Sequence, residues 1–387
     1  MESTIGTVFD TLMAVKKAGN HARRLWRQRW LLSRDRRDFL RRSRKRRAGP
    51  GGLDPSRWVA LNSHTKGSVR VTSDRKLVLD LPERLNFDAD YEATASHFQM
   101  LRHAVRGSGK VSELRFNDIK YISPSAALVL ASEVDRWNQR EARQLRADIE
   151  SWDKNIERLL CQMGYFELLG IPCPADIGKP ARVTFLRFKR GTVGAKDLGK
   201  LAQQLRVEIE ALLGFPIKKH FLFEGLSEAI TNVSQHAYPD TEGYCLKQWW
   251  LSASYDSGAG ELCVMFYDQG AGIPGTLPKW KLFERVKDMF GTWGDSQKIE
   301  AAMEVGRSSS RLKERGKGLQ NLLEFARAHR EGRLSIYSSR GMYRMTSKRN
   351  GEETGPLTTT QRQDFENSVG GTLIEWSVKL ASADEND

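Results

Sequence analysis

Residues Phe221–Tyr238 read FLFEGLSEAITNVSQHAY. Leu222, Leu226, Ile230 and Val233 recur three and four residues apart, the spacing that gathers side chains on one helical face, so the stretch predicts an amphipathic helix over 220–237. Away from that face Glu224, Glu228, Asn232 and His236 fall every four residues and stack turn upon turn. A polar stripe on a helix is most often a solvated face. This one combines carboxylate, amide and imidazole, which suits it to hold a metal-bound phosphate chain. An Asn oxygen can ligate Mg2+, and a carboxylate one turn away can orient or deprotonate a nucleophile.

Around this helix the periodicity predicts a second helix at 197–213 and strands at 246–255, 261–268, 333–339 and 371–380. A helix is expected at 317–330 and a long irregular stretch at 270–315. Two long helices beside a mostly antiparallel set of strands predict a two-layer α/β sandwich for residues 193–387. Three short patches punctuate it. Asp268–Pro274, DQGAGIP, follows an apolar strand. Its Asp268 can accept a hydrogen bond from an exocyclic amine, and Gly270 and Gly272 let backbone approach a flat ring. A glycine turn capped by Asp is the plain alternative. Arg315–Leu319, RGKGL, opens the helix at 317. Gly316 and Gly318 expose amide N–H groups to an anion there, and Arg315 and Lys317 add charge. Gly370–Thr372, GGT, starts the last strand and says little alone.

Together and in this order the patches resemble the nucleotide-binding boxes of the GHKL ATPases, the superfamily of gyrase, heat-shock chaperones, histidine kinases and MutL. The stretch TNVSQHAY is similar to that of the anti-sigma-factor serine kinases. The resemblance covers about 180 residues. It implies a Bergerat-type fold that binds ATP and Mg2+, with Asn232 ligating the metal and Asp268 reading adenine. Gly270 and Gly272 would line the base, Gly316 and Gly318 would pass the phosphates, and Thr372 would sit behind Asp268. Glu228 would be the general base, and residues 275–315, with Arg307–Arg311, a mobile lid.

The preceding residues, 53–192, predict an α/β unit of their own. Strands are expected at 76–83, 113–123 and 182–188, and helices at 125–137 and 159–169. The segments Phe116–Val134 and Leu159–Gly170 resemble STAS domains, the fold of anti-anti-sigma factors. By position Ser125 would be the phosphorylated serine of that fold, although Ser123 and Ala126 stand where Asp and Gly are usual. A helix-capping turn at Pro124–Ser125 is the plain alternative. Gly107–Lys110, GSGK, is a P-loop fragment only: Ala104 occupies the first glycine's place and Val111 that of the Ser or Thr.

The net charge of +14 is concentrated in an arm. Residues 1–47 hold 15 Lys or Arg against Glu2, Asp10, Asp35 and Asp38, and residues 48–52, AGPGG, close the arm as a linker. With Trp26 and Trp30 among the arginines, the basic stretch 16–47 could contact nucleic acid, an anionic membrane surface or an acidic protein, or stay a solvated tail. No apolar run reaches membrane-spanning length, and MESTIGTVFD lacks the order of a secretory signal, so a cytoplasmic location is expected. Cys161, Cys173, Cys245 and Cys263 show no zinc spacing and are expected to be inert thiols.

Three functions follow as expectations. The first is an ATP-dependent switch with slow hydrolysis acting on a protein partner. The second is a serine kinase directed at Ser125 or at a separate STAS protein. The third is a nucleic-acid binder with structural ATP. No helix with a phosphoacceptor His directly precedes residue 195, which argues against a sensor histidine kinase. Members of the superfamily often dimerise, which leaves a homodimer open.

Overall fold

The strands Gln248–Asp256 (β8) and Glu261–Asp268 (β9) are neighbours in the large sheet and are buried along most of their length. Along β8, Trp249, Leu251 and Ala253 point to one face while Trp250 and Ser252 point to the other, the period-2 alternation of a strand. All are buried, so the sheet is covered on both sides at this strand. The computed structural model describes residues 69–71, 77–107, 111–141, 149, 152–174, 182–193, 198–217, 221–239, 247–277, 293–308, 318–349 and 356–380. The basic arm, Arg315, Gly316 and Lys317 lie outside the described residues, as do Ser309–Arg311 and Cys245.

The described residues begin with β1 (Val69–Val71), β2 (Leu77–Asp80) and β3 (Arg84–Leu85), then helix α1 (Tyr91–Gly107), β4 (Val111–Arg115) and β5 (Tyr121–Ile122). β2 and β4 pair in parallel across α1, and β1 lies antiparallel on β2. Helices α2 (Pro124–Glu141), α3 (Lys154–Met163) and α4 (Tyr165–Leu169) follow. Next come β6 (Val183–Phe185), β7 (Lys189–Thr192), α5 (Leu198–Leu213) and α6 (Phe221–Asn232), the last running into a π-helical turn at Val233–Ala237. After β8 and β9 stand α7 (Gly272–Thr276), α8 (Asp295–Ser308), α9 (Gly318–Arg327), β10 (Glu331–Ser338), β11 (Gly341–Lys348), β12 (Leu357–Asp364) and β13 (Thr372–Lys379).

The large sheet has the order β12-β11-β10-β13-β9-β8-β6, with β7 also pairing with β8, and every neighbour in it is antiparallel. Its front face carries Leu251, Val264, Phe266, Ile336, Met345 and Trp376 against Leu205 and Ile209 of α5, Leu222, Leu226 and Ile230 of α6, and Phe325 of α9. This is the expected sandwich of helices on an antiparallel sheet. Its reverse face is not open: α2 packs on β8 and β9 there. Asp135 of α2 accepts from Trp250 Nε1 at 3.0 Å and pairs with Arg190 Nη1 at 2.5 Å. Residues 59–387 accordingly cluster as one unit. The strand expected to close the amino-terminal unit, β6, instead joins the sheet of the carboxy-terminal half through β8.

Other expectations need correction. The stretch 270–315 is not wholly irregular, because α7 and α8 occupy part of it. In α8, Ile299, Ala302 and Met303 are buried. The Asp364 carboxylate accepts from Ser296 N–H at 2.8 Å and Ser296 Oγ at 2.9 Å at the helix's positive end. The start of this helix is thus anchored to β12. Cys161 and Cys173 are not free thiols but form a disulfide, with Cα atoms 5.9 Å apart. Cys263 is a free thiol whose pKa burial pushes up, in keeping with an inert role. No helix among the described residues is long and apolar enough to cross a membrane.

Candidate functional site

Strand β9 ends at Asp268, which lies opposite Trp249 on β8 and Thr372 on β13. The strand on either side of it is buried, and Asp268 is itself only 3% exposed. Its Oδ1 accepts from the Gly270 N–H at 2.8 Å, and the Thr372 hydroxyl also bonds the carboxyl. These neutral donors do not replace the lost water. Burial raises the carboxyl to about 7, and the two hydrogen bonds lower it only in part. Asp268 is therefore a carboxyl poised between its two protonation states, with acceptor capacity for a ligand's donor.

The second wall comes from α6. Its apolar stripe is buried as the spacing predicts, but the helix expected to run to 237 widens into a π-turn after Asn232. Such single π-turns occur frequently at functional sites. Here the end is pinned to the turn after Asp268. Ala271 N–H donates to Ala237 O at 2.7 Å, and Gln269 N–H donates to Tyr238 Oη at 3.1 Å. Gly270 permits this approach, since a β-carbon there would lie 2.3 Å from Ala237 O.

Between the walls is a cavity. Asn232, His236, Asp268, Gly272 and Thr372 all line it, so residues drawn from three of the four sequence patches converge on one place. Val233, Phe266, Ile273 and Ile374 supply apolar surface to the same space. This is the composition of a small-molecule cleft, with mostly apolar walls and a few convergent polar groups. Gly270 is not among the lining residues; its place is the close packing against Ala237. Gly318 begins α9, which packs along α6. Glu228 sits on α6 one turn before Asn232; its side chain, like those of Arg307 and Ser308, lies outside the described residues.

One contributor, Ser338, lies outside the sequence patches. Ser338, at the end of β10, accepts from Ile273 N–H at 2.8 Å and lies 2.9 Å from Thr372 Oγ1, so it ties α7 and β13 together behind Asp268. Gly371 has φ +146°, and a β-carbon there would stand 1.9 Å from Asp268 O. Gly371→Ala is thus expected to destabilise the fold by about 2–4 kcal/mol through backbone strain and overlap. Urea unfolding would measure it, and a cost below about 0.5 kcal/mol would show that the turn can relax.

No protein-family model matches the chain, and no curated protein is significantly similar to it.

Ser125 lies apart from this cavity, in the first turn of α2. It is 2% exposed, and its Oγ lies 3.2 Å from Ser123 Oγ. Ser123 caps the helix by accepting from Ala126 N–H at 3.2 Å. A kinase could reach Ser125 only if the start of α2 opened.

Proposed function

We propose that the chain binds Mg-ATP in this cavity and works as a nucleotide-dependent switch of the GHKL type. The observation that supports the reading most is the convergence of Asn232, Asp268, Gly272 and Thr372 on one cavity lined with apolar side chains. Those residues come from patches up to 140 residues apart (232 to 372), and their resemblance to nucleotide-binding boxes is independent of their position in space. Asp268 would accept from the adenine amine, with Thr372 holding the carboxyl from behind. Phe266, Ile273 and Ile374 offer apolar surface to a purine ring. Asn232 and His236, which also line the cavity, would face the phosphates.

The donor set suits Mg2+. This ion keeps several waters and shares the rest of its shell between one or two protein oxygens and substrate phosphates, so a single Asn amide oxygen at the wall meets its need. Bound there, Mg2+ would neutralise phosphate charge. Glu228, four residues before Asn232 in α6, would orient or deprotonate water, as the resemblance implies. Burial of Ser125 favours the switch over a kinase that modifies this same chain.

The test is Mg-ATP titration and phosphate release by the full chain and two variants. The wild type is expected to bind. Asn232→Ala is expected to lose at least about tenfold in Mg2+-dependent affinity, from the loss of one metal-ligand oxygen. Glu228→Ala is expected to bind normally and to release phosphate about 10²–10⁴-fold more slowly, the usual contribution of a general base. A wild-type chain that binds no Mg-ATP would end this reading.

A further inference from the structure

Asp268 and Thr372 are carried by two turns, 268–271 and 368–371, and both turns are held from the reverse side of the sheet by one buried polar network. Gln269, 7% exposed, points away from the cavity. Its Nε2 donates to Glu133 Oε1 at 3.0 Å and to Ser132 Oγ at 3.2 Å, and its Oε1 accepts from Arg136 Nη1 at 2.8 Å, all three on α2. Glu133 pairs in turn with Arg102 of α1 at 2.7 Å, and both side chains are less than a tenth exposed. Arg102 then donates to the carbonyls of Val369 and Ser368 in the second turn. Gly370 belongs to the same arrangement, because a β-carbon there would lie 2.2 Å from Arg102 Nη1. Tyr267 Oη closes the circuit on the carbonyls of Val369 and Gly370 at 3.3 and 3.2 Å.

We infer that Gln269, Glu133 and Arg102 are positioning residues for the nucleotide site, so that α1 and α2 set the placement of Asp268 relative to Thr372 and movement of either helix changes nucleotide affinity. The inference rests on the nucleotide reading of the cavity and adds to it the input by which the amino-terminal half would regulate it. Three features support it. The network is buried and charged, so its geometry is narrowly defined: Gln269 loses its partners and Arg102 loses Glu133 if α2 shifts. It joins segments more than a hundred residues apart at the two turns that build the site. Moreover, Gln269 has no contact requirement on the cavity side, where Asp268 and Gly272 already supply the lining. The titratable groups that face Asp268 are Tyr238 at the end of the π-turn, Tyr267 on its own strand and His236 across the cavity.

The test uses the full chain with Gln269→Met, which keeps the bulk and removes the hydrogen bonds, beside Glu133→Gln. Mg-ATP affinity is titrated across neutral pH, and melting temperature is followed against pH without nucleotide. Each variant is expected to bind Mg-ATP about tenfold more weakly in the folded state, in line with coupling within one hydrogen-bonded network. The pH midpoint of the nucleotide-free melting curve, which reports the Asp268 carboxyl, is expected to move with it. On an Asp268→Asn background Gln269→Met should cost little more, because its effect passes through that carboxyl. A folded Gln269→Met protein with unchanged affinity and midpoint would overturn the inference, as would a full tenfold loss on the Asp268→Asn background. Wild-type failure to bind Mg-ATP would instead defeat the nucleotide reading, and the nucleotide-free midpoint would still decide whether the network positions Asp268. Should Glu133→Gln not fold, Gln269→Met alone carries the decision.

Discussion

Asp268→Asn is expected to make the empty protein more stable above neutral pH while removing its affinity for Mg-ATP. The folded carboxyl sits at about 7 because burial opposes its charge, whereas in the unfolded chain it returns to about 3.9. Between these two values the folded state holds a proton that the unfolded state has released. Stability therefore falls as pH rises from about 4 to about 7 and levels off above that. The full penalty is on the order of 4 kcal/mol for a group this deeply buried. Asn keeps an oxygen for the Gly270 N–H and carries no charge, so the variant escapes most of the penalty. Its unfolding free energy at pH 8 should exceed the wild type's by about 2–4 kcal/mol, and its stability should lose the slope across pH 4–7. Its amide can no longer serve as the charged acceptor, so Mg-ATP binding should drop by at least about a hundredfold. Denaturant unfolding at several pH values, with nucleotide titration beside it, reads both effects. An unaltered slope would mean that another group titrates there. Such a gain in stability at a cost in binding is the mark of a residue kept for function.

The second large effect is expected at Arg102. Replacing it with Met preserves most of the volume but strands Glu133, 6% exposed, without its cation and leaves the Val369 carbonyl without its donor. Removing one partner of a buried ion pair typically costs about 3–5 kcal/mol, because the remaining charge keeps its desolvation penalty and loses its compensation. Arg102→Met should therefore lower the unfolding free energy by that amount. The double variant Arg102→Met with Glu133→Gln should recover part of it, since a neutral amide tolerates burial better than an unpaired carboxylate. Urea unfolding of the singles and the double completes the cycle. A loss below about 1 kcal/mol in Arg102→Met, the size expected of an exposed pair, would mean that water reaches Glu133.

Much of the scaffold is legible in the residues themselves. ELCVMFYD reads as a strand and forms one over Glu261–Asp268; the apolar spacing over 197–213 becomes α5, and the final strand, expected at 371–380, spans Thr372–Lys379. For α5 one face meets the core and burial writes that face into the sequence as a period, whereas β9 and the final strand are buried on both faces and show as apolar runs. Where no face is buried the period is missing. β12, LTTTQRQD, is exposed along nearly its whole length and passes unread, although it pairs with β11 over eight residues. The amphipathic helix α8 is obscured in turn by the glycines and charged residues around it. The π-turn also escapes: no residue pattern over Val233–Ala237 marks it, although its last residue accepts a hydrogen bond from Ala271 N–H.

For the site the division is sharper. The sequence by itself determines which groups are available: an Asp at a strand end, glycines beside it, an Asn and a His on one side of a helix. Local sterics and side-chain chemistry act over a few residues and need no partner to be read. Only the tertiary structure decides that Asp268 faces Thr372, that Gly370 makes room for Arg102, and that Gln269 turns toward α2. The raised proton affinity of Asp268 belongs to the same class. It arises from the water excluded by segments distant in sequence, and no short stretch of residues encodes that exclusion.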